Sequence, residues 1–264
     1  MIGDWINRKL LNKIQVLSKG EYNHTLSDCF EMANSEVYTR SQMMLTNRAY
    51  GFFKAENGIS LLSEFLRKKA DLDRFQYVGC GDNAIVVRYS EHQALRFRAP
   101  AIEGRVNTQD VLKAPFISPV WNEVEFLGGR LNFVPFHKSL ASEILSGNVK
   151  RATGEELIHI LMEAAFRNVP PMWFYDYYNY DFKFEQIAIL DDWTPLIIDQ
   201  GGVILETDAP VECSERIASD KDRVLNEGHQ VDTPWDGKWV DGAGKPKIDH
   251  LEKPPSNILE LQSE

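Results

Sequence analysis

Residues 179–202 read Asn179-Tyr180-Asp181-Phe182-Lys183-Phe184-Glu185-Gln186-Ile187-Ala188-Ile189-Leu190-Asp191-Asp192-Trp193-Thr194-Pro195-Leu196-Ile197-Ile198-Asp199-Gln200-Gly201-Gly202. The pattern is two short acidic loops flanking a tight hairpin. Ile187, Ile189 and Leu190 form one apolar run and Leu196-Ile197-Ile198 a second, while Asp191-Asp192-Trp193-Thr194-Pro195 supplies turn chemistry between them. If the runs pair as adjacent strands, Asp181 before the first and Asp199 after the second come to the same edge. Two carboxylates at one edge are a place to hold a divalent cation and orient a hydroxyl.

The stretch resembles the protein kinase-like superfamily, whose catalytic loop reads H-R-D-x-K-x-x-N and whose metal loop reads D-F-G. Asp181 and Lys183 fall on the first motif and Asp199-Gln200-Gly201 on the second, and the eighteen positions from Asp181 to Asp199 match the separation usual there. Two departures accompany the match. Gln186 stands where the superfamily has a metal-binding Asn, and no His begins the loop.

Upstream, Phe75-Gln76-Tyr77-Val78 leads into Gly79-Cys80-Gly81-Asp82-Asn83-Ala84-Ile85-Val86, a Gly-x-Gly-x-x-Ala-x-Val run in a strand–turn–strand setting. Glycines there let backbone approach a triphosphate without a Cβ clash. The run is similar to the kinase nucleotide-covering loop and unlike a dinucleotide fingerprint, because a strand follows it where a helix should. Ala94-Leu95-Arg96 falls where that superfamily has Ala-Ile-Lys, so the resemblance puts Arg96 in the place of the phosphate-gripping lysine. Arginine is a permanent charge with a planar fork and differs from lysine in reach. Residues 102–113 suit the short helix that carries the partner carboxylate, with Glu103 and Asp110 both open as candidates. Gly128-Gly129 between the alternating runs at 120–127 and 130–134 signals a hairpin. Val134-Pro135-Phe136 is then the connector whose backbone would meet an adenine edge.

Helical periodicity predicts helices over 4–18, 59–69 with Leu61, Leu62, Phe65 and Leu66 on one face, and 139–145, with residues 21–58 helical in part. A further helix is predicted from Thr153, as a cap with Glu156 three residues on, to the stop at Pro170-Pro171; its buried side is Leu157, Ile158, Leu161, Ala164 and Ala165. The aromatic run Trp173–Tyr180 reads as packing beneath the catalytic loop. Residues 214–226 read as an exposed helix, and 232–264 as an irregular tail rich in Pro, Gly and charge.

The chain has 264 residues, 43% hydrophobic and 26% charged, and can bury a substantial core. A formal charge of −10 argues against broad nucleic-acid or anionic-membrane binding. No apolar run approaches the ~18–20 residues that span a bilayer, and Met1-Ile2-Gly3-Asp4-Trp5 lacks signal-peptide character. The expected location is cytoplasmic, although an effector secreted by a dedicated apparatus would look the same. Cys29, Cys80 and Cys213 are too few and too scattered for a disulfide framework or a zinc site.

These readings combine into an α+β, two-lobed protein kinase-like fold. A helical extension at 1–74 precedes a small antiparallel N-lobe at 75–136, an abbreviated helical C-lobe at 137–231 and the tail at 232–264. The resemblance covers residues 75–202 and implies an ATP- and Mg2+ (or Mn2+)-dependent phosphotransferase, similar to the small bacterial effector kinases. Its acceptor would be a hydroxyl of a protein or a small molecule. It assigns Asp181 and Lys183 to catalysis, and Asp199 and Gln186 to the metal. The nucleotide falls to Gly79, Gly81, Asn83, Ala84, Val86, Ala94, Arg96 and Val134. Two alternatives stay open: a pseudokinase that binds or regulates a partner, and a kinase-fold nucleotidyltransferase. Residues 1–74 carry no nameable motif and serve either as packing or as a partner-binding segment.

Overall fold

Thr25 and Asp28 open the helix Leu26–Ser41 by capping each other: the Asp28 N–H donates to Thr25 Oγ1 at 3.2 Å, and the Thr25 N–H donates to Asp28 Oδ2 at 2.9 Å. The structure, a computed structural model, describes residues 22–41, 46–81, 83–100, 114–174, 184–190, 194–198 and 203–226. These form an α+β protein with a small antiparallel sheet and helices. The helix expected at 4–18, the segment at 102–113 and the tail at 232–264 lie outside the described residues. The described residues fall into two compact units, one holding 22–100 and 120–136, the other 114–119 and 137–226.

Among the described residues of the first unit, helices α1 (Leu26–Ser41), α2 (Arg48–Lys54) and α3 (Gly58–Ala70) precede the sheet. Helix α3 ends where Asp71 turns left-handed at φ 56°, behind the basic run Arg67-Lys68-Lys69 that suits the negative end of a helix dipole. Its buried stripe is Leu62, Leu66 and Ala70, spaced by four; Leu61, expected on that face, is exposed, and Phe65 is half-buried against the Phe126 ring. Among the described residues the sheet has strands β1 (Gln76–Cys80), β2 (Ala84–Arg88), β3 (Gln93–Arg98), β4 (Asn122–Phe126) and β5 (Gly129–Pro135), in the order β1-β2-β3-β5-β4 with every neighbour antiparallel.

Alternation along these strands divides the sheet into two faces. Ile85, Val87, Leu95, Phe97, Val124, Leu131 and Phe133 point to one face and share a core with Phe30, Phe53, Leu62 and Leu66 of the helices. Phe30, Phe53 and Phe97 meet edge-on or tilted with centroids 5.2–6.3 Å apart, the geometry aromatic rings prefer. Helices and sheet thus bury one continuous core across the 74/75 boundary drawn from the sequence.

The β4–β5 hairpin corrects one detail. Its turn is Leu127-Gly128, with φ of 53° and 86°, and Gly129 is already the first residue of β5, paired with Phe126. Glycine at 129 answers to packing: a Cβ there would lie 2.6 Å from Phe53 Cζ and 2.8 Å from Phe52 Cε1.

The second unit contains α4 (Leu140–Leu145), α5 (Arg151–Arg167), β6 (Met172–Phe174), β7 (Ile187–Ile189), β8 (Pro195–Ile197), β9 (Val203–Leu205) and α6 (Ser214–Asn226). Ser139 caps α4, its Oγ accepting from the Ser142 N–H at 3.2 Å. Helix α5 starts two residues before the expected cap, so Thr153 sits inside its first turn; Arg151 and Ala152 are good helix formers and extend it. Its buried side is wider than expected, since Ile160, Met162 and Phe166 are buried as well as Leu157, Ile158, Leu161 and Ala165, while Ala164, expected there too, is half-buried. Buried Trp173 and Phe174 lie in β6, and the Trp173 indole donates to Asp220 Oδ2 of α6 at 3.3 Å. Among the described residues no helix is long and apolar enough to cross a membrane.

Candidate functional site

The sheet face turned away from the core collects most of the residues picked out for a nucleotide. Register pairs Gly79 with Val86, Val86 with Arg96, and Arg96 with Asn132, so one row crosses four strands and ends at Glu123 of β4. The adjacent row holds Arg88, Ala94 and Val134, and the row on the other side pairs Ala84 with Arg98. Gly79, Ala84, Val86, Ala94, Arg96 and Val134 therefore share a face, while Gly81 and Asn83 lie in the β1–β2 connection.

A bulge in β1 sets this arrangement. Register slips between Tyr77 and Gly79, so Val78 is the extra residue and Gly79 takes the rung opposite Val86. Without the slip the Val78 side chain would occupy that position. A Cβ built on Gly79 or Gly81 meets nothing within 4 Å, and neither residue needs a positive φ. Packing does not require glycine at either position, and the space beside the backbone is open, which fits a loop that lies against a bulky anion.

The chemistry of the face is graded. Val86, Ala94 and Val134 form an apolar floor, with Ala94 buried and the two valines half-buried. Arg96 brings a fixed positive charge one rung away. An apolar floor beside a cation suits a flat base with a phosphate tail. The connector differs from expectation: Val134 and Pro135 belong to β5, and the Phe136 N–H is committed to the His92 carbonyl at 2.7 Å. The Phe136 ring instead receives the Arg88 guanidinium at 4.1 Å, a cation–π contact.

Three polar residues on or beside this face, Asn132, Asn47 and Arg48, escaped the sequence reading. Asn132 is buried, and its Nδ2 donates to Glu123 Oε2 at 2.6 Å, which fixes the orientation of the amide. Its Oδ1 has no hydrogen-bond partner among the described residues. Strand alternation puts it on the face of Val134, so a polar residue inside an apolar strand was the available signal. Asn47 and Arg48 reach the β1–β2 connection from the start of α2. Asn47 Nδ2 donates to the carbonyls of Gly81 (2.6 Å) and Ala84 (3.4 Å), and Arg48 Nη1 donates to Asn83 Oδ1 at 2.6 Å. Asn47 is legible as a helix cap, since its Oδ1 accepts from the Tyr50 N–H, but nothing in the local pattern reports its second partner.

In the second unit, β7 and β8 form the expected hairpin, pairing Ile187 with Ile197, Ala188 with Leu196 and Ile189 with Pro195. Buried Ile187 and Ile197 root it in the unit's core. The ladder closes at its turn end by Leu190 N–H to Thr194 O (2.9 Å) and at its open end by Ile198 N–H to Gln186 O (2.8 Å). A second ladder pairs Met172 with Leu205, Trp173 with Ile204 and Phe174 with Val203. In sequence, residues 175–183 follow Phe174 of the one ladder and residues 199–202 follow Ile198 of the other.

Asp181, Lys183 and Asp199 lie on those two segments, outside the described residues. Of the expected metal ligands Gln186 is described: it is half-buried at the end of a short 3-10 turn, Phe184–Gln186. Among the described residues no group of His, Cys, Asp or Glu gathers in a way that could hold a metal ion.

Comparison with known proteins adds little. No protein-family model matches the chain. No curated protein matches it. Among solved structures, the crystal structure of WbdD is similar with a TM-score of 0.35 at 12% identity, over 55% of this chain. The chain spans 36% of the length of WbdD.

Proposed function

We propose that the chain is an ATP- and Mg2+-dependent phosphotransferase of the protein kinase-like type, with a small sheet lobe and an abbreviated helical lobe. The observation that carries this reading is the shared face. Six residues selected from sequence for a nucleotide fall on adjacent rungs of one sheet surface, with open space beside Gly79 of β1 and Gly81 of the connection. The β7–β8 hairpin, expected between the two acidic motifs, is present and supports the reading as well.

In this reading Arg96 and the amides of residues 79–84 hold the triphosphate, and Val86, Ala94 and Val134 hold the base. Asp199 and Gln186 would hold Mg2+, which neutralises charge on the phosphates. Asp181 orients the acceptor hydroxyl and takes its proton as the new P–O bond forms. The bond to the departing diphosphate breaks, and Lys183 stabilises charge on the transferring phosphoryl group. Positioning and charge neutralisation supply the rate, with no covalent enzyme intermediate.

Arg96 for Lys, Gln186 for Asn and the missing His are specific observations that favour a second reading, a pseudokinase retained for nucleotide-gated binding. A thermal-shift titration with ATP, with and without Mg2+ or Mn2+, tests the first reading against the second. Native-state binding raises apparent stability by mass action. A metal-dependent shift that disappears in Asp199→Ala, followed by label transfer from γ-labelled ATP, supports the phosphotransferase. Transfer from α-labelled ATP instead makes the chemistry nucleotidyl transfer, and a shift without any transfer favours the pseudokinase. No shift with any combination overturns the nucleotide site.

A further inference from the structure

We infer that Asn47 and Arg48 are positioning residues for the nucleotide-covering hairpin, so that the helical segment before the sheet is a working part of the phosphate site. The inference rests on the nucleotide reading above and adds residues which the resemblance does not supply.

The tip of the β1–β2 hairpin has little of its own to hold it. Gly81 is exposed, and Asn83 and Ala84 are half-buried, so the described residues of the tip include no buried apolar side chain. Gly79 and Gly81 have no Cβ to limit their motion, and their open surroundings offer no steric stop. Left alone, such a tip would sample many backbone states, and a ligand would have to order it at an entropic cost.

Four hydrogen bonds from two adjacent residues oppose that freedom. Fully buried Asn47 donates to the carbonyls of Gly81 and Ala84, and the Gly81 N–H closes the tip on the Ala84 carbonyl at 3.1 Å. Arg48 Nη1 donates to Asn83 Oδ1, and its Nη2 donates to the Pro100 carbonyl at 3.3 Å. The Ala99 N–H donates to the Asn83 carbonyl at 3.1 Å, so the Asn83 backbone is tied to the residue that follows β3, while its side chain is held by Arg48. The clamp takes up carbonyl oxygens and an amide oxygen. Anions are bound by N–H groups, and the clamp itself engages only acceptors of the loop, although the Gly81 N–H is committed to the Ala84 carbonyl.

A purely structural clamp and a positioning clamp differ in what they change. The test uses the full chain, its Arg48→Ala and Arg48→Lys variants, and titrations with ATP·Mg2+ and with adenosine, which lacks phosphates. The expected result is an affinity for ATP·Mg2+ lower by about tenfold in Arg48→Ala, equivalent to ~1.4 kcal/mol. Adenosine affinity should stay within about twofold and the melting temperature nearly unchanged, since Arg48 is half-buried and lies outside the core. Arg48→Lys should recover part of the loss, because one donor replaces a two-pronged fork. Amide hydrogen exchange of residues 79–84 in the ligand-free protein should quicken in Arg48→Ala. Unchanged ATP affinity in Arg48→Ala overturns the inference alone, as does an equal loss for ATP and adenosine with a lowered melting temperature. Failure of the wild-type chain to bind either ligand overturns the nucleotide reading, and the inference with it.

Discussion

The backbone N–H of Ile198 donates to the carbonyl of Gln186 at 2.8 Å, one step beyond the Ile187–Ile197 pair. That bond ties the residue before Asp199 to the residue that stands where the kinase-like motif has its metal-binding Asn. If Asp199 and Gln186 share a cation, the neutral amide oxygen is the weaker ligand of the two. Gln186→Ala is expected to raise the Mg2+ concentration needed for half-maximal ATP-dependent stabilisation several-fold, and Asp199→Ala to abolish the dependence. Gln186→Asn should preserve it. Mg2+ titrations at fixed ATP, read by melting temperature, check this, and an unchanged requirement in Gln186→Ala would remove that residue from the site.

Arg96 separates charge from shape on the sheet face. Arg96→Met keeps an unbranched stem of similar bulk and removes the fork, and is expected to weaken ATP binding by about tenfold or more, in line with charge-assisted bonds worth ~1.5–3 kcal/mol. Arg96→Lys should lose less, since the charge remains and only the bidentate geometry is gone. Calorimetric titration decides. Equal affinity in wild type and Arg96→Met would mean that Arg96 serves the sheet and not a phosphate.

How much of this was legible beforehand depended on whether the signal was local. The β7–β8 hairpin could be read because two short apolar runs flank turn-forming residues, although Pro195, expected in the turn, opens β8 opposite Ile189. That Ala94, Arg96 and Val134 share a face follows from the β3–β5 register and not from either strand alone. The bulge at Val78 could not, because an extra residue in one strand shows only against its partner. The hidden role of Asn47 has the same cause: its cap bond to Tyr50 is three residues away, while its bonds to Gly81 and Ala84 span 34 and 37 positions. The pattern Gly128-Gly129 signals a turn through both residues, and nothing nearby in sequence marks Gly129 as a strand residue. The Phe52 and Phe53 rings that exclude a side chain there arrive from a helix some seventy positions earlier.

That hairpin offers a paired stability test. Leu127 is exposed and holds φ at 53°, a region that costs a leucine about 1 kcal/mol. Leu127→Asn makes the Asn-Gly sequence favoured at two-residue hairpin turns and is expected to stabilise by ~0.5–1 kcal/mol. Gly129→Ala should destabilise by roughly 1–3 kcal/mol, because its Cβ would press on the fully buried Phe53 ring. Urea unfolding of both variants checks the pair; a neutral Gly129→Ala would contradict the packing described for β5.

Tyr89 supplies a test of a different kind. Its hydroxyl is buried with no hydrogen-bond partner among the described residues, and burial pushes its pKa above the usual tyrosine range. Deleting a buried hydroxyl that lacks a partner removes a desolvation cost. Tyr89→Phe is therefore expected to be neutral or stabilising, by up to ~1 kcal/mol, whereas Tyr77→Phe should destabilise, since the buried Tyr77 hydroxyl donates to Glu36 Oε2 at 2.6 Å. Opposite signs in denaturant midpoints are the expected outcome.

The same burial gives the first unit a defined response to alkali. Desolvation by burial, with the Asp28 carboxylate as a smaller cause, pushes the Cys29 thiol up to about 12 from an ordinary value of 9.0. Burial likewise raises Tyr77, with Cys80 and Glu36 adding to it, and raises Tyr89, both from an ordinary 10.0. All three groups keep their protons in the folded chain after the unfolded chain has released them. Above pH ~9 the unfolded state therefore binds fewer protons than the folded state, and stability falls as pH rises. The contribution is fully present below 9 and is lost as the pH climbs toward the folded-state values. Cys29 titrates first in the unfolded chain, so it dominates the onset, at a limiting slope of ~1.4 kcal/mol per pH unit. Comparing wild type with Cys29→Ala isolates it from the mounting repulsion of an already acidic chain, which both proteins share. The stability advantage of wild type over Cys29→Ala should be constant from pH 7 to 8 and shrink steadily from pH 9 to 11. An advantage that stays constant throughout would mean that Cys29 ionises as readily in the folded protein as in the unfolded one, and that the packing of α1 against the sheet is looser than its full burial implies.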